Sequence, residues 1–227
     1  MNRLWGKVRK LFWLIRHRRY AYLAYAIRNR LHGLDFGHVS VERLGLAPAR
    51  SNVHSNSGGP ELARIVRTLD ISPGTAAVDL GSGKGGAALT LSRLGYERVV
   101  GVEIVEDLVV IARRNARRAK QHNVEFVCCD AGAFKELDSF AHVYMYNPFH
   151  EPIMTEVLTN LAESLVRTPR DLTLVYCNPQ HHDMIIGSGI FSTSHEGDVL
   201  AINLLETEGS KFVVYTHHAG SSPRVDA

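Results

Sequence analysis

Residues 78–89 read VDLGSGKGGAAL: an apolar run ending in an acid, four glycines within six residues, then small helix formers. This is the pattern of a buried strand, a tight turn and a helix. Two turn templates fit. Gly81, Gly83 and Gly86 satisfy G-x-G-x-x-G, and Gly81, Gly83 and Gly85 satisfy the tighter G-x-G-x-G. In both, glycine lets the backbone bend sharply and approach a ligand without a Cβ clash. The helix that follows presents free N–H groups to an anionic group. A P-loop is excluded, because Lys84 is followed by Gly85 where that motif needs Ser or Thr.

Outward from the turn, short apolar runs alternate with helical stretches. The runs are Ala76–Leu80, Val99–Val102, Val124–Cys128, Val143–Tyr146 and Leu172–Tyr176. Helices are expected at Gly86–Leu94 and Glu106–Lys120, with a short one near Gly132–Leu137. Ile153, Val157, Leu161 and Leu165 then repeat at i, i+4. Near-continuous apolar strands between helices predict a parallel sheet covered on both faces. Val199–Leu205 and Lys211–Thr216, joined through Glu208-Gly209-Ser210, predict a closing antiparallel hairpin. The fold class is therefore α/β: a Rossmann-like, doubly wound, mostly parallel seven-stranded sheet with an antiparallel C-terminal hairpin.

Acids at strand ends narrow the ligand. Glu103 ends the second strand 20 residues after Gly83, where a carboxylate can accept hydrogen bonds from ribose hydroxyls. That suits NAD and any other adenosine-bearing cofactor equally. Asp79 precedes Gly81 by two residues, a poor place for a carboxylate beside a pyrophosphate but a good one beside a cationic amine. Asp130 ends the third run, within reach of an adenine amino group.

The ordered runs VDLGSGKG, GVEI, CCDA and YMYNPF resemble the motifs of class I S-adenosylmethionine-dependent methyltransferases. The resemblance covers roughly residues 60–216. It implies that S-adenosyl-L-methionine is the cofactor. Asp79, Gly81, Ser82, Gly83 and Gly85 would hold its methionine portion, Glu103 its ribose and Asp130 its adenine. Asn147-Pro148-Phe149 resembles the Asn-Pro-Pro-Tyr/Phe motif of amino-directed members, one proline shorter. By that resemblance Asn147, Pro148 and Phe149 form the catalytic loop: amide and carbonyl oxygens hold the target amine and the ring stacks on it. DLGSGKG, YNPF and TLVYCNP together look like small bacterial members of unassigned substrate, in which His54 or Ser55 would line the cofactor mouth. The expected function is methyl transfer to an unidentified nucleophile, with nitrogen favoured. The alternatives are an inactive methyltransferase-fold binding protein acting through a basic arm and, further off, an NAD(P)-dependent oxidoreductase.

Charge divides the chain. The net charge of +3 conceals nine Lys/Arg and no acid in residues 1–34, against 17 basic and 23 acidic residues in the remainder. Leu4, Val8, Leu11 and Ile15 recur at helical spacing opposite the basic residues. The expected division is a basic amphipathic helical extension at 1–34 and a loop-rich connector at 35–60. The methyltransferase domain follows at 61–220, with a flexible tail at 221–227. The arm suits an anionic membrane surface or an acidic partner, and the acidic body offers no clear nucleic-acid groove. The arm's apolar runs are too short to span a bilayer, so a cytoplasmic protein with possible peripheral membrane contact is expected. Cys128, Cys129 and Cys177 form no C-x-x-C pair and are expected as buried reduced thiols. His181 and His182 lack metal-ligand spacing, so no metal is expected, and His150 is the better-placed candidate base. His217 and His218 are expected on the surface.

Overall fold

The computed structural model describes residues 20–37, 57–69, 71–72, 74–199 and 210–220. The predicted helix at residues 4–15, His54, Ser55, the hairpin turn and the tail lie outside them. Helix α1 is Tyr20–Leu31 and α2 is Pro60–Val66. The alternating body follows: β1 (Ala76–Leu80), α3 (Gly86–Ser92), β2 (Arg98–Glu103), α4 (Glu106–Arg118), β3 (Val124–Cys128), β4 (His142–Tyr146), α5 (Glu151–Arg167) and β5 (Leu172–Cys177). A short α6 (His182–Gly187) leads into β6 (Ser192–Val199) and β7 (Ser210–His217).

The seven strands run in the order β3-β2-β1-β4-β5-β7-β6. The first five are parallel, and β7 inserts antiparallel between β5 and β6. Because a strand sends alternate side chains to opposite faces, the apolar runs feed two cores. Val78, Leu80, Val100, Val102, Val143 and Met145 pack with Ile153, Met154, Val157 and Leu161 of α5. Ala77, Val99, Phe126, Tyr144 and Val175 pack with Leu62 and Ile65 of α2, Leu89 and Leu91 of α3, and Val109 and Ala112 of α4. Strand order reverses between β1 and β4, and this switch point opens a crevice at their carboxyl ends.

Three expectations are corrected here. The first hairpin strand begins at Ser192, earlier than the predicted start at Val199, and residues 200–205 of the predicted strand lie outside the described residues. The run STSHEGDV carries almost no apolar signal because it is an edge strand, bulged between Thr193 and His195 and largely exposed. No helix forms at 132–137. There Gly132 lies so close to α5 that a Cβ would fall 1.9 Å from Glu156 Oε2. Asn160 Nδ2 donates to the Gly132 carbonyl at 2.6 Å, holding that segment as a turn. Finally, His217 is buried, with Nδ1 2.8 Å from the Ile190 carbonyl, whereas His218 is exposed. A strand that alternates faces buries one of two adjacent histidines.

Candidate active site

The glycine turn sits at the carboxyl end of β1. Gly81, Gly83 and Gly85 all have positive φ (84°, 52° and 82°), the left-handed region where glycine is favoured. At Gly81 there is a second reason. A Cβ would lie 2.4 Å from Pro148 Cβ, so only glycine lets the turn touch the loop that ends β4. Gly81 and Ser82 both donate their N–H to the Val102 carbonyl at 2.9 Å, anchoring the turn on β2.

Asp79 lies on the α3 side of the sheet, 2% exposed, and its Oδ2 accepts from Ala88 N at 3.1 Å. The helix has Gly85 as its N-cap and no local side-chain cap, so this strand carboxylate takes over that function. Burial pushes the carboxyl up to about 7, the Ala88 N–H opposes the rise, and the nearby Glu103 charge adds to it. Glu103 is also buried. Its Oε2 accepts from Gly83 N at 2.8 Å and its Oε1 from Val105 N at 2.9 Å. Burial raises its pKa against those backbone donors. Each carboxylate oxygen has a second lone pair, so neither acid is saturated. Asp130 follows β3, half-buried, and accepts from Gly132 N at 2.9 Å. The strand order β3-β2-β1 brings the three acids into one row along the crevice. Ser82 is 6% exposed, and its Oγ has no hydrogen-bond partner among the described residues. A bent glycine cradle, an orphaned hydroxyl and acids suited to an amine and a ribose fit S-adenosylmethionine.

Sequence reading missed what lies behind the turn. Lys84 is 4% exposed, and its Nζ pairs with Asp35 Oδ1 at 2.8 Å. Asn115 of α4 fixes both: its Nδ2 donates to the carbonyls of Asp35 (2.9 Å) and Lys84 (3.0 Å), and its Oδ1 accepts from Asp35 N at 2.9 Å. The available signal was an asparagine on the apolar stripe of α4, between Ala112 and Ala116.

On the acceptor side, β4 and β5 end in the same way. Asn147-Pro148 and Asn178-Pro179 follow paired residues Tyr146 and Cys177, and both asparagines have positive φ (37° and 51°). Asparagine tolerates this conformation better than other residues with a Cβ, and such strain gathers at functional turns. Tyr176 donates its hydroxyl to Asn147 Oδ1 at a long 3.5 Å. Phe149 departs from what the resemblance implied: its ring is 6% exposed and packs in the α5 core. Phe149 lies two residues before α5 begins at Glu151, and its ring turns into that core. The Phe149 carbonyl accepts from His181 Nε2 at 3.1 Å, and His182 Nδ1 lies 2.8 Å from the Tyr215 hydroxyl. Among the described residues no group of three His, Cys, Asp or Glu could hold a metal ion. Of the thiols only Cys177 is buried; Cys128 is exposed and Cys129 half-exposed, because β3 ends at the rim of the crevice.

Residues 77–168 match a family profile described as a methyltransferase domain. A 23S rRNA (uracil(1939)-C(5))-methyltransferase of Shewanella amazonensis is 32% identical over 100 residues, 44% of this chain and 22% of its own. Its namesake from Neisseria lactamica is 26% identical over 184 residues, 72% of this chain and 40% of its own. The chain therefore spans less than half the length of these curated relatives. Among solved structures, the magnesium protoporphyrin IX methyltransferase of Synechocystis with bound S-adenosylhomocysteine superposes with a TM-score of 0.52. It is 18% identical, over 69% of this chain and 79% of that one, which shows the shared fold.

Proposed function

We propose that this chain carries a class I S-adenosylmethionine-dependent methyltransferase domain and that it methylates a nitrogen of a nucleobase in RNA. The RNA part draws on the two relatives named as rRNA methyltransferases. The nitrogen part rests on one observation: none of the chain's three cysteines is poised as a nucleophile.

The relatives are named for C5 of uracil. A pyrimidine C5 becomes nucleophilic once another nucleophile, such as a thiolate, has added at the adjacent C6. Cys177 does not suit that role, since it is fully buried and burial pushes its thiol up to about 12. Cys128 and Cys129 are raised too, by desolvation first and then by neighbouring carboxylates, Glu106 and Glu136 foremost. Thiols held in this way are poor nucleophiles at neutral pH. An amino or ring nitrogen has its own lone pair and needs no covalent adduct.

The cofactor supplies a methyl group activated by a sulfonium. The work left to this chain is orientation, which can provide a large share of a rate enhancement. Pro148, packed on Gly81, ties the acceptor loop to the cofactor turn. Asn147 presents its amide oxygen from a fixed left-handed backbone, with Tyr176 donating to that oxygen. The proton lost from the methylated nitrogen needs no strong base, and solvent at the crevice can take it.

The test is incubation with methyl-labelled cofactor and separate RNA, protein, lipid and small-molecule pools, followed by nucleoside analysis. Label is expected in an N-methylated base. Asn147→Ala should lower kcat by roughly 100-fold or more while cofactor affinity stays within a few-fold. A C5-methylated pyrimidine would overturn the nitrogen reading, and label confined to another pool would overturn RNA.

A further inference from the structure

Away from the crevice, α1, α2 and α3 border an open cavity of about 540 Å³. Arg28 comes from α1, while Arg67 and Arg93 are the C-cap residues of α2 and α3. Among the described residues no acidic side chain lines the cavity. None of the three guanidiniums has an ion-pair or hydrogen-bond partner among the described residues; Arg28 alone has a ring contact, 5.7 Å over Tyr25. The Tyr25 hydroxyl is itself buried and has no hydrogen-bond partner among the described residues. Gly59, at the cavity's edge, is held by its N–H on Thr90 Oγ1 at 2.9 Å, which fixes α2 against α3.

Each feature alone has a local explanation. A basic residue at a helix C-terminus complements the helix dipole. That does not explain why three helices direct their arginines into one space. Burial and the neighbouring Arg28 charge both disfavour the charged form of half-buried Arg93. Arg28 and Arg67 are exposed, so water screens much of this repulsion, and a bound anion would relieve what remains at Arg93. Outside the described residues the chain has five acids, Glu42, Asp70, Glu206, Glu208 and Asp226, of which Asp70 follows Arg67 by three residues. Arginine's planar, multidentate donors match phosphate oxygens.

We propose that the cavity between α1, α2 and α3 binds a phosphate group, with Arg28, Arg67 and Arg93 holding its oxygens and the Tyr25 hydroxyl donating to one of them. The inference does not depend on the acceptor assigned above. A backbone phosphate of RNA and the phosphate of a free nucleotide present the same chemistry.

The experiment is calorimetry on the full chain, saturated with S-adenosylhomocysteine so that the adenosine site is filled. The probes are inorganic phosphate, uridine 5′-monophosphate and a short single-stranded RNA, at matched ionic strength. Saturable binding is expected, weakened about tenfold or more by Arg93→Gln and by Arg28→Gln. Arg117→Gln, an exposed change on α4 outside the cavity, should leave it unchanged. Tighter binding of RNA than of uridine 5′-monophosphate would identify the phosphate as a backbone group, and the reverse would identify a free nucleotide. Thermal melts add an independent readout: phosphate should raise the Tm of the parent chain but not of Arg93→Gln. The absence of saturable binding by all three probes, or equal losses in Arg117→Gln, would overturn the proposal.

Discussion

Asp79 joins the chemistry of the turn to the stability of the helix behind it. Its carboxyl pKa is raised in the fold, from 3.8 to about 7. A raised acid favours the folded state fully below pH ~4, and that contribution is lost as pH rises through about 7. Asp79→Asn keeps an oxygen for the Ala88 N–H but cannot ionise. Denaturant unfolding should therefore show the variant gaining on the parent chain between about pH 4 and pH 7, by up to a few kcal/mol. Cofactor affinity should move the other way. The cationic amine needs the ionised carboxylate, so binding to the parent chain should tighten through pH 7, while the Asn variant should show a flat profile. A flat profile in the parent chain would leave Asp79 as a helix cap only. Glu103→Ala removes an acceptor that holds Gly83 and Val105 as well as the proposed ribose contact. The expected loss is ~1.5–3 kcal/mol of cofactor binding for a charged acceptor, measured by calorimetry with S-adenosylhomocysteine. Unchanged affinity would move the ribose elsewhere.

Between elements, the structure adds what periodicity could not convey. The five parallel strands were legible because each is a short apolar run, and the acids at their ends because a charged residue there interrupts that run. The polar edge strand β6 and the turn at 131–133 were not, since neither depends on a hydrophobic pattern. The same holds for the Asp35–Lys84–Asn115 latch, whose members are 49 and 80 residues apart from Asp35 in sequence. Long-range packing turns Lys84 backward from the turn onto Asp35. The latch ties the segment after α1 to the back of the cofactor turn. Asn115→Ala removes three hydrogen bonds and strands the Asp35 N–H and the Lys84 carbonyl, costing about 2 kcal/mol or more. Hydrogen exchange should then rise first at residues 32–37 and 82–85, before the sheet opens. If exchange rises instead uniformly with global unfolding, the latch has no local role.

For the molecule as a whole, the unresolved tension lies between an acidic body and a nucleic-acid substrate. An acidic surface repels a polyanion, so an RNA-directed reading requires the positive charge to be concentrated somewhere. Two places offer it: the arginine cavity, and residues 1–19, which contain seven Lys/Arg and no acid. Single-stranded binding loses about 0.7 units of log K per log salt for each phosphate neutralised. Removing residues 1–19 should thus flatten the salt dependence of RNA binding by up to about 5 units, with cofactor affinity unchanged. The truncated chain should still methylate its target at low salt, because the glycine turn and both Asn-Pro loops are intact. An unchanged slope would show that these residues do not contact RNA. If the full chain bound anionic vesicles but not RNA, and truncation abolished that binding, the arm would serve a membrane surface. The acceptor would then have to be small enough to enter the crevice without a basic track.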